Sequence, residues 1–143
     1  MCEIVIGEPS KILKPVKAWK VVDGGGHSPY FPQTNCRPWT DGTVRFAKPS
    51  YRWVAENKKV TKGGLHVFFT REAANEYKAE LARARAPWCE AQLLYPYPSY
   101  FYYMVIPVLV WGDAILFKDG AAVEFATWDT ACADLGAKEL EED

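Results

Sequence analysis

Cationic and aromatic side chains alternate between residues 45 and 62, an arrangement that suits stacking on nucleobases beside phosphates. The segment contains Arg45, Lys48, Arg52, Lys58, Lys59 and Lys62, with Tyr51 and Trp53 between them. A nucleobase stacked on an aromatic ring contributes about 1–3 kcal/mol, and neighbouring cations contact the backbone. The same alternation is typical of an ordinary strand with one packed and one solvated face. Both interpretations stay open, with Arg45, Arg52 and Trp53 as the candidate contacts.

The segment Tyr100-Phe101-Tyr102-Tyr103 places aromatic rings on both faces of a strand, because successive side chains of a strand point in opposite directions. One of the two faces then meets solvent, a groove or another chain. Tyrosine is favoured at interfaces since it buries area while keeping a polar tip. We therefore predict a binding or self-association surface at Tyr100 and Tyr102. The alternative is a central strand that is covered on both faces.

Histidine and cysteine are too scattered to predict a metal or redox site. The histidines are His27 and His66, and the cysteines are Cys2, Cys36, Cys89 and Cys132. No C-x-x-C pair or zinc-ligand spacing occurs among them, so we expect free thiols and no bound metal. The sequence also contains no Walker loop, no G-x-S-x-G and no H-E-x-x-H, which are the short motifs of common enzyme classes.

The composition predicts one folded domain whose charge is unevenly distributed. Of 143 residues, 49% are hydrophobic and 24% are charged, which excludes a disordered or low-complexity chain. Residues 1–62 hold 11 Lys and Arg against 5 Asp and Glu, whereas residues 110–143 hold 2 against 9. Either the two ends neutralise each other in the fold, or the basic part meets an anionic partner and the acidic part a basic one. The net charge of −1 disfavours a binder of duplex nucleic acid.

Hydrophobic periodicity predicts an N-terminal arm at residues 1–16, a single domain at 17–138 and an acidic tail at 139–143. Within the domain we expect a long loop at 27–42 and a charged turn at 56–64. Strands are predicted at 17–22, 43–55, 65–69, 88–95, 100–106, 108–111, 114–117 and 121–125, and 43–55 is either one strand or two short ones interrupted by Pro49. Breaks between the last strands are predicted at Pro107, Gly112-Asp113 and Asp119-Gly120.

One principal helix is predicted at 71–85, with Thr70 as its N-cap and Pro87 as its stop. A short C-terminal helix is predicted at 129–138. One principal helix among consecutive strands indicates an α+β fold with a largely antiparallel sheet, since a parallel sheet needs a helix between successive strands.

The principal helix and the strand before it resemble those of the ADP-ribosyltransferase-like fold. The strand and cap are Gly63-Gly64-Leu65-His66-Val67-Phe68-Phe69-Thr70, and the helix bears Ala73, Ala74 and Tyr77. Enzymes of that fold transfer ADP-ribose from NAD to a protein or a nucleotide. The resemblance thus implies NAD as cofactor and a catalytic glutamate on a late strand.

Carried to this sequence, the resemblance makes Glu124 the catalytic carboxylate and lets Phe69 stack on nicotinamide. Trp19 and Lys20 lie on the first strand, where the family holds the nicotinamide ribose with His or Arg. His66, on the second strand, is a further candidate binding residue. The structural alternatives are a half-buried strand histidine with a backbone partner and, for Glu124, a residue on the solvent face of its strand.

The same G-[LF]-H-x-F strand and alanine-rich helix are similar to those of small uncharacterised bacteriophage and bacterial proteins. We therefore predict a cytoplasmic phage-type accessory protein that binds, and thereby inhibits or sequesters, a host defence protein or a nucleotide signal, without a cofactor. ADP-ribosyl transfer and the binding of a nucleotide or single-stranded nucleic acid are the alternatives. Residues 1–8 lack a signal peptide and no long apolar run occurs, so no membrane partner is expected. Homo-oligomerisation stays open.

Overall fold

The structure, a computed structural model, describes residues 3–26, 28, 38–91 and 103–129. Its elements in chain order are β1 (Ser10–Asp23), a short 3-10 turn (Trp39–Asp41), β2 (Arg45–Phe46), β3 (Pro49–Ala55), β4 (Lys58–Gly63), β5 (Leu65–Phe68), α1 (Arg71–Ala91), β6 (Tyr103–Phe117) and β7 (Gly120–Trp128). The predicted α+β class with a largely antiparallel sheet is confirmed. The predicted helix at 129–138 and the acidic tail lie outside the described residues, apart from Asp129.

Four antiparallel strands pair in a closed ring. Strand β1 pairs with β5 on one side and β6 on the other, and β7 also pairs with both β5 and β6. Strand β2 adds to β7 beyond the end of β5. Strands β3 and β4 form a separate two-stranded hairpin. This closure leaves few unpaired edges in the main sheet. The hairpin is not part of the ring and forms its own two-stranded sheet.

Strand β6 is one continuous strand, so the predicted breaks at Pro107 and Gly112-Asp113 are wrong. Pro107 has no N–H to donate, but it is buried opposite Trp19 and its carbonyl accepts from Asp129 N at 3.0 Å. At Gly112, with a φ of +90°, the pairing with β7 shifts register between Trp111 and Ala114. A bulge of this kind bends a strand without ending it, and the sequence signals of a bulge and a turn are alike. The turn at Asp119-Gly120 is confirmed.

Two hydrophobic clusters lie on opposite faces of β1, as the alternation of a strand requires. Ala18 and Val22 face the first cluster, and Trp19 and Val21 face the second, which α1 covers. The first cluster consists of Ala18, Val22, Trp39, Val67, Ile106, Val108, Val110, Ala114, Ala121, Val123 and Ala126. The second consists of Trp19, Val21, Phe68, Ala73, Ala74, Leu81 and Phe117. Both faces of β1 are therefore packed.

Helix α1 begins where it was predicted to begin but extends further. Thr70 Oγ1 accepts from Ala73 N at 3.1 Å, which confirms the N-cap. The helix continues through Pro87 to Ala91, so the predicted stop is wrong, as is the predicted strand over residues 88–91. A proline inside a helix removes one backbone hydrogen bond, and the surrounding alanines are strong helix formers. Residues 92–95 of that predicted strand lie outside the described residues.

The N-terminal segment is not a free arm, and the charged turn at 56–64 is mostly strand. Strand β1 begins at Ser10, and the residues before it form isolated bridges from Ile4 to Val60 and from Val5 to Phe117. Residues 58–63 form β4, and the turn is reduced to Glu56 and Asn57, with Asn57 at a φ of +61°. Asparagine tolerates this left-handed conformation better than most residues. The charged residues are therefore presented on a hairpin.

Alanine at Gly112 is expected to destabilise the fold more than alanine at Gly42. Both glycines have a φ near +80 to +90°, which costs an alanine about 1–2 kcal/mol. A Cβ at Gly112 lies 2.7 Å from Glu124 Oε1 and 2.8 Å from Phe125 Cδ2, whereas a Cβ at Gly42 meets open space. Urea unfolding of Gly112→Ala and Gly42→Ala measures the difference. Equal losses in the free energy of unfolding would mean that the bulge tolerates a side chain.

Candidate binding surface on the β3–β4 hairpin

The β3–β4 hairpin presents a platform of two rings and one cation, Tyr51, Trp53 and Lys59, here called the hairpin platform. Tyr51 and Trp53 alternate along β3, and Lys59 is the register partner of Trp53 on β4, so all three share a face. The Nζ of Lys59 lies 4.5 Å from the Tyr51 ring centroid and 4.9 Å from that of Trp53. These distances are within cation–π range. One ammonium thus holds two rings in place.

Trp53 is 60% exposed although it belongs to a pleated strand. The platform's cation is less exposed: the Lys59 side chain is 19% exposed, and its Nζ lies 3.9 Å from Glu8 Oε1. The indole is therefore oriented from one side by Lys59 and open to solvent elsewhere. A large apolar ring kept in water on an ordered strand is available for stacking.

The hairpin also carries three exposed cations, Arg52, Lys58 and Lys62. Among the described residues none of the three forms an ion pair with a carboxylate. Arg52 lies on β3 opposite Val60, on the face away from the platform, and Lys62 lies opposite Ser50 on the same face. Within the described residues these three cations and Lys59 outnumber Glu56, the carboxylate of the hairpin turn, so the hairpin has a positive potential despite the net charge of the chain.

The first residues of the described chain fix the hairpin to the main sheet. Thr61, which is fully buried, donates from its N to the Glu3 carbonyl at 2.8 Å, and its Oγ1 accepts from Glu3 N at 3.0 Å. Val5 N donates to the Lys59 carbonyl at 3.0 Å, and Ile6 N donates to the Leu116 carbonyl at 3.1 Å. Residues 3–6 therefore strap β4 to β6.

A cleft of about 490 Å³ lies where the hairpin leaves the main sheet. Its lining consists of Pro9, Ser10, Lys48, Pro49, Ser50, Tyr51, Asp113, Ala114 and Ile115. Lys48 Nζ donates to Asp113 Oδ2 at 2.6 Å, and Lys11 Nζ lies 4.0 Å from Asp113 Oδ1. The ion pair raises the pKa of Lys48 and, through the hydrogen bond from Lys48, lowers that of Asp113. Tyr51 belongs to both the cleft and the platform.

Lys20 is buried in the main sheet, although the sequence made it a candidate binding residue. It is 5% exposed, its Nζ donates to the His66 carbonyl at 2.9 Å, and it lies 5.3 Å from the Trp39 ring centroid. Burial lowers its pKa from the ordinary 10.5 to about 8. In the described part of the chain no carboxylate lies within ion-pair distance of this ammonium.

His66 is half-buried between strands, which agrees with the structural alternative weighed for it. Its ring lies 5.5 Å from that of Phe117. Burial, and secondarily the charge of Lys20, lower its pKa to about 4, while a backbone hydrogen bond at Gly63 opposes the shift. The imidazole is therefore neutral at physiological pH.

Arg45 and Trp19 are engaged within the fold. Arg45 Nη2 donates to the Pro38 carbonyl, and the same guanidinium lies 3.7 Å from Asp41 and 5.8 Å from the Trp39 ring. Trp19 is 4% exposed in the cluster under α1, so its ring is not presented to a partner. Of the predicted binding residues, Arg52 and Trp53 share the hairpin.

The other predicted residues lie apart from the hairpin or outside the described residues. Phe69 is 38% exposed at the end of β5. Glu124 Oε1 accepts from Asp113 N at 3.0 Å and so supports the β6 bulge. Its catalytic role stays a prediction, as does the NAD site. Tyr100 and Tyr102 lie outside the described residues.

Sequence reasoning did not single out the roles of Lys59 and Asp113. Lys59 was one of several cations, and its position between two rings depends on the register of β3 and β4. The sequence predicts that Asp113 lies in a turn. It does not indicate the ion pair with Lys48, which is 65 residues away in sequence. The signal that would have found Lys59 is Asn57, which predicts a tight turn between two alternating segments.

The chain matches no protein-family model, and no similar protein was found among curated proteins or solved structures. In the part of the chain that the structure describes, no helix has the length and apolar character needed to cross a membrane. The described residues also contain no group of three or more His, Cys, Asp or Glu side chains arranged to hold a metal ion.

Replacing Lys20 with methionine is expected to stabilise the protein at pH 7 by about 1–3 kcal/mol, because a buried ammonium without a carboxylate partner is costly. The folded pKa is about 8 and the ordinary value is 10.5, so the unfolded chain binds more protons between these values. The advantage of Lys20→Met should be complete below pH 8 and shrink as the pH rises toward 10.5. Chemical denaturation at several pH values measures it.

The matched control for this prediction is Lys14→Met, at an exposed position on the same strand. Its effect on stability should stay within about 0.5 kcal/mol. A destabilised Lys20→Met protein, with Lys14→Met unchanged, would show that the Lys20 ammonium contributes more through its contacts than its burial costs.

Proposed function

We propose that this protein acts by binding, and that its hairpin contacts a nucleotide or a single-stranded nucleic acid. The observation that carries the proposal is the 60% exposure of Trp53 beside Lys59, on a hairpin whose other face bears cations that pair with no carboxylate of the described residues. Non-specific binders of single strands combine stacking rings with a positive surface. Both parts are present within β3 and β4.

The rings of the platform suit an unpaired base. Lys59 contacts the faces of Tyr51 and Trp53 and limits the freedom of both rings. A ring that is already oriented loses little side-chain entropy when a base stacks on it. Trp53 is the more exposed of the two and is the first candidate for the stack.

The cations of the hairpin suit a phosphate backbone that passes the platform. Arg52 and Lys62 lie on the opposite face of the hairpin, and Lys58 lies beside its turn. A backbone that runs along the hairpin, from Lys62 near its base to Lys58 beside its turn, meets these cations while a base reaches the platform. Bases in a duplex are stacked on one another and unavailable to Trp53, and the low net charge also disfavours a duplex ligand.

A host protein and an acceptor of ADP-ribose remain the other proposed partners. The first depends on Tyr100 and Tyr102, of which the structure gives no description. The second depends on Glu124, whose Oε1 accepts a backbone hydrogen bond from Asp113. Among the described residues that these proposals invoke, only those of the hairpin offer an exposed arrangement of rings and cations, so we place the nucleotide proposal first.

Trp53→Ala is expected to weaken binding to a labelled oligouridine of about twelve nucleotides by roughly 5- to 150-fold, which corresponds to the loss of one stacked base. Fluorescence anisotropy at about 50 mM salt measures the affinity. Phe46→Ala is the matched control, because Phe46 is 63% exposed but lies on β2, away from the hairpin. Equal affinities of wild type and Trp53→Ala, or no binding by wild type, would contradict the proposal.

The salt dependence tests the phosphate contacts separately. The double variant Arg52→Ala/Lys62→Ala should lower the slope of log affinity against log salt by about 1.4, if each cation neutralises one phosphate of a single strand. Arg83→Ala, at an exposed position on α1, is the control for charge alone and should leave the slope unchanged. Similar slopes for both variants would show that Arg52 and Lys62 do not contact the phosphates.

A further inference from the structure

The cleft at the hairpin base differs in charge from the hairpin itself. Lys48 and Lys11 approach Asp113, and Glu124 also acts on the charge of Lys48. Two cations and two carboxylates therefore balance at this place. A phosphate is attracted less strongly here than at the hairpin cations, because the cations of the cleft are already paired with Asp113. The cleft is suited to a polar but uncharged group.

The carboxylate of Asp113 has capacity for another donor. Its Oδ2 accepts from Lys48, and the residue, whose side chain is 38% exposed, is among those that line the cleft. A carboxylate offers about four acceptor sites. Ser10 adds a hydroxyl to the lining. A ligand hydroxyl can therefore donate to an ionised acceptor and form a charge-assisted hydrogen bond.

Apart from Lys48 and Ser50, the remaining walls of the cleft are mainly apolar. Pro9, Pro49 and Ile115 line it together with Tyr51. A pocket with apolar walls and few fixed polar groups is the usual form of a small-molecule site, and about 490 Å³ falls within the usual range of volumes. The carbon face of a sugar ring matches such walls, and its hydroxyls match Asp113.

Tyr51 joins the cleft to the hairpin platform, since it contacts Lys59 and also lines the cleft. A nucleotide whose base stacks on Tyr51, the platform ring that lines the cleft, would have its sugar beside the cleft. We propose that the cleft binds ribose and that Asp113 accepts a hydrogen bond from the 2′-hydroxyl. The inference depends on the proposed function of the hairpin and adds to it a preference for ribonucleotides over deoxyribonucleotides.

The test compares oligouridine with 2′-deoxy-oligouridine of equal length, and uridine monophosphate with its deoxy counterpart. The wild type is expected to prefer the ribo form by about threefold to tenfold, the usual effect of one net hydrogen bond. A preference with both pairs assigns the ribose to the cleft. A preference with the oligonucleotides alone still supports the cleft and indicates that several nucleotides are needed for binding.

Asp113→Asn should reduce this preference to nearly one, because a neutral amide accepts a weaker hydrogen bond. Lys48→Met breaks the same ion pair but keeps the carboxylate, so the ribo preference should persist. Asp119→Asn, at the exposed β6–β7 turn, is the control for lost charge. A preference that survives in Asp113→Asn, or disappears equally in Lys48→Met, would overturn the role of Asp113.

The two proposals fail in distinguishable ways. Equal affinities of the wild type for the ribo and deoxy forms, both reduced by Trp53→Ala, would overturn the ribose inference while the hairpin proposal stands. No binding to either form would overturn both.

Discussion

The bulge at Gly112 and Asp113 allows one strand to serve two parts of the sheet. Strand β6 pairs with β1 on one edge and with β7 on the other, and these pairings close the ring. The bend needs a residue at a φ of +90°, and Glu124 stabilises it by accepting from the Asp113 amide. The same bend carries the Asp113 side chain to the hairpin, where it pairs with Lys48. The pairing that closes the ring and the lining of the cleft thus meet at this bulge.

The hairpin differs from the ring in the way its aromatic residues are used. In the closed ring of strands, the aromatic side chains of Trp19, Phe68 and Phe117 are buried beneath α1. On the hairpin, Trp53 is left in water, and a cation rather than a hydrophobic cluster orients it. Leaving indole surface exposed gives up hydrophobic stabilisation of the free protein. Such exposure is typical of residues that contact a binding partner. Around Lys20, in contrast, the cation itself is buried in the fold.

The fold class and the start of the helix followed from the sequence because local signals carry them. Thr70 is a strong cap, and the stripe of α1 has a clear helical period. Pro107 and Gly112 gave misleading signals, since the same residue types mark breaks and bulges, and only pairing with β1 and β7 separates the two. The candidate site was half predictable. Alternation identified Arg52 and Trp53, whereas the positions of Lys59 and Asp113 depend on register and on contacts between distant segments. Trp19, Lys20 and Arg45 had suitable chemistry, but their burial is a tertiary property.

The strap formed by residues 3–6 has a consequence for how the chain reaches its native state. Its partners, Thr61 and Leu116, are distant in sequence, and the Glu3–Thr61 contact alone spans 58 residues. Contacts of long range form late and slow folding, because the intervening chain must be ordered first. During synthesis the strap leaves the ribosome long before β6 exists. We therefore expect the hairpin to form early by local pairing and to acquire its orientation later, when the long-range contacts of the strap form.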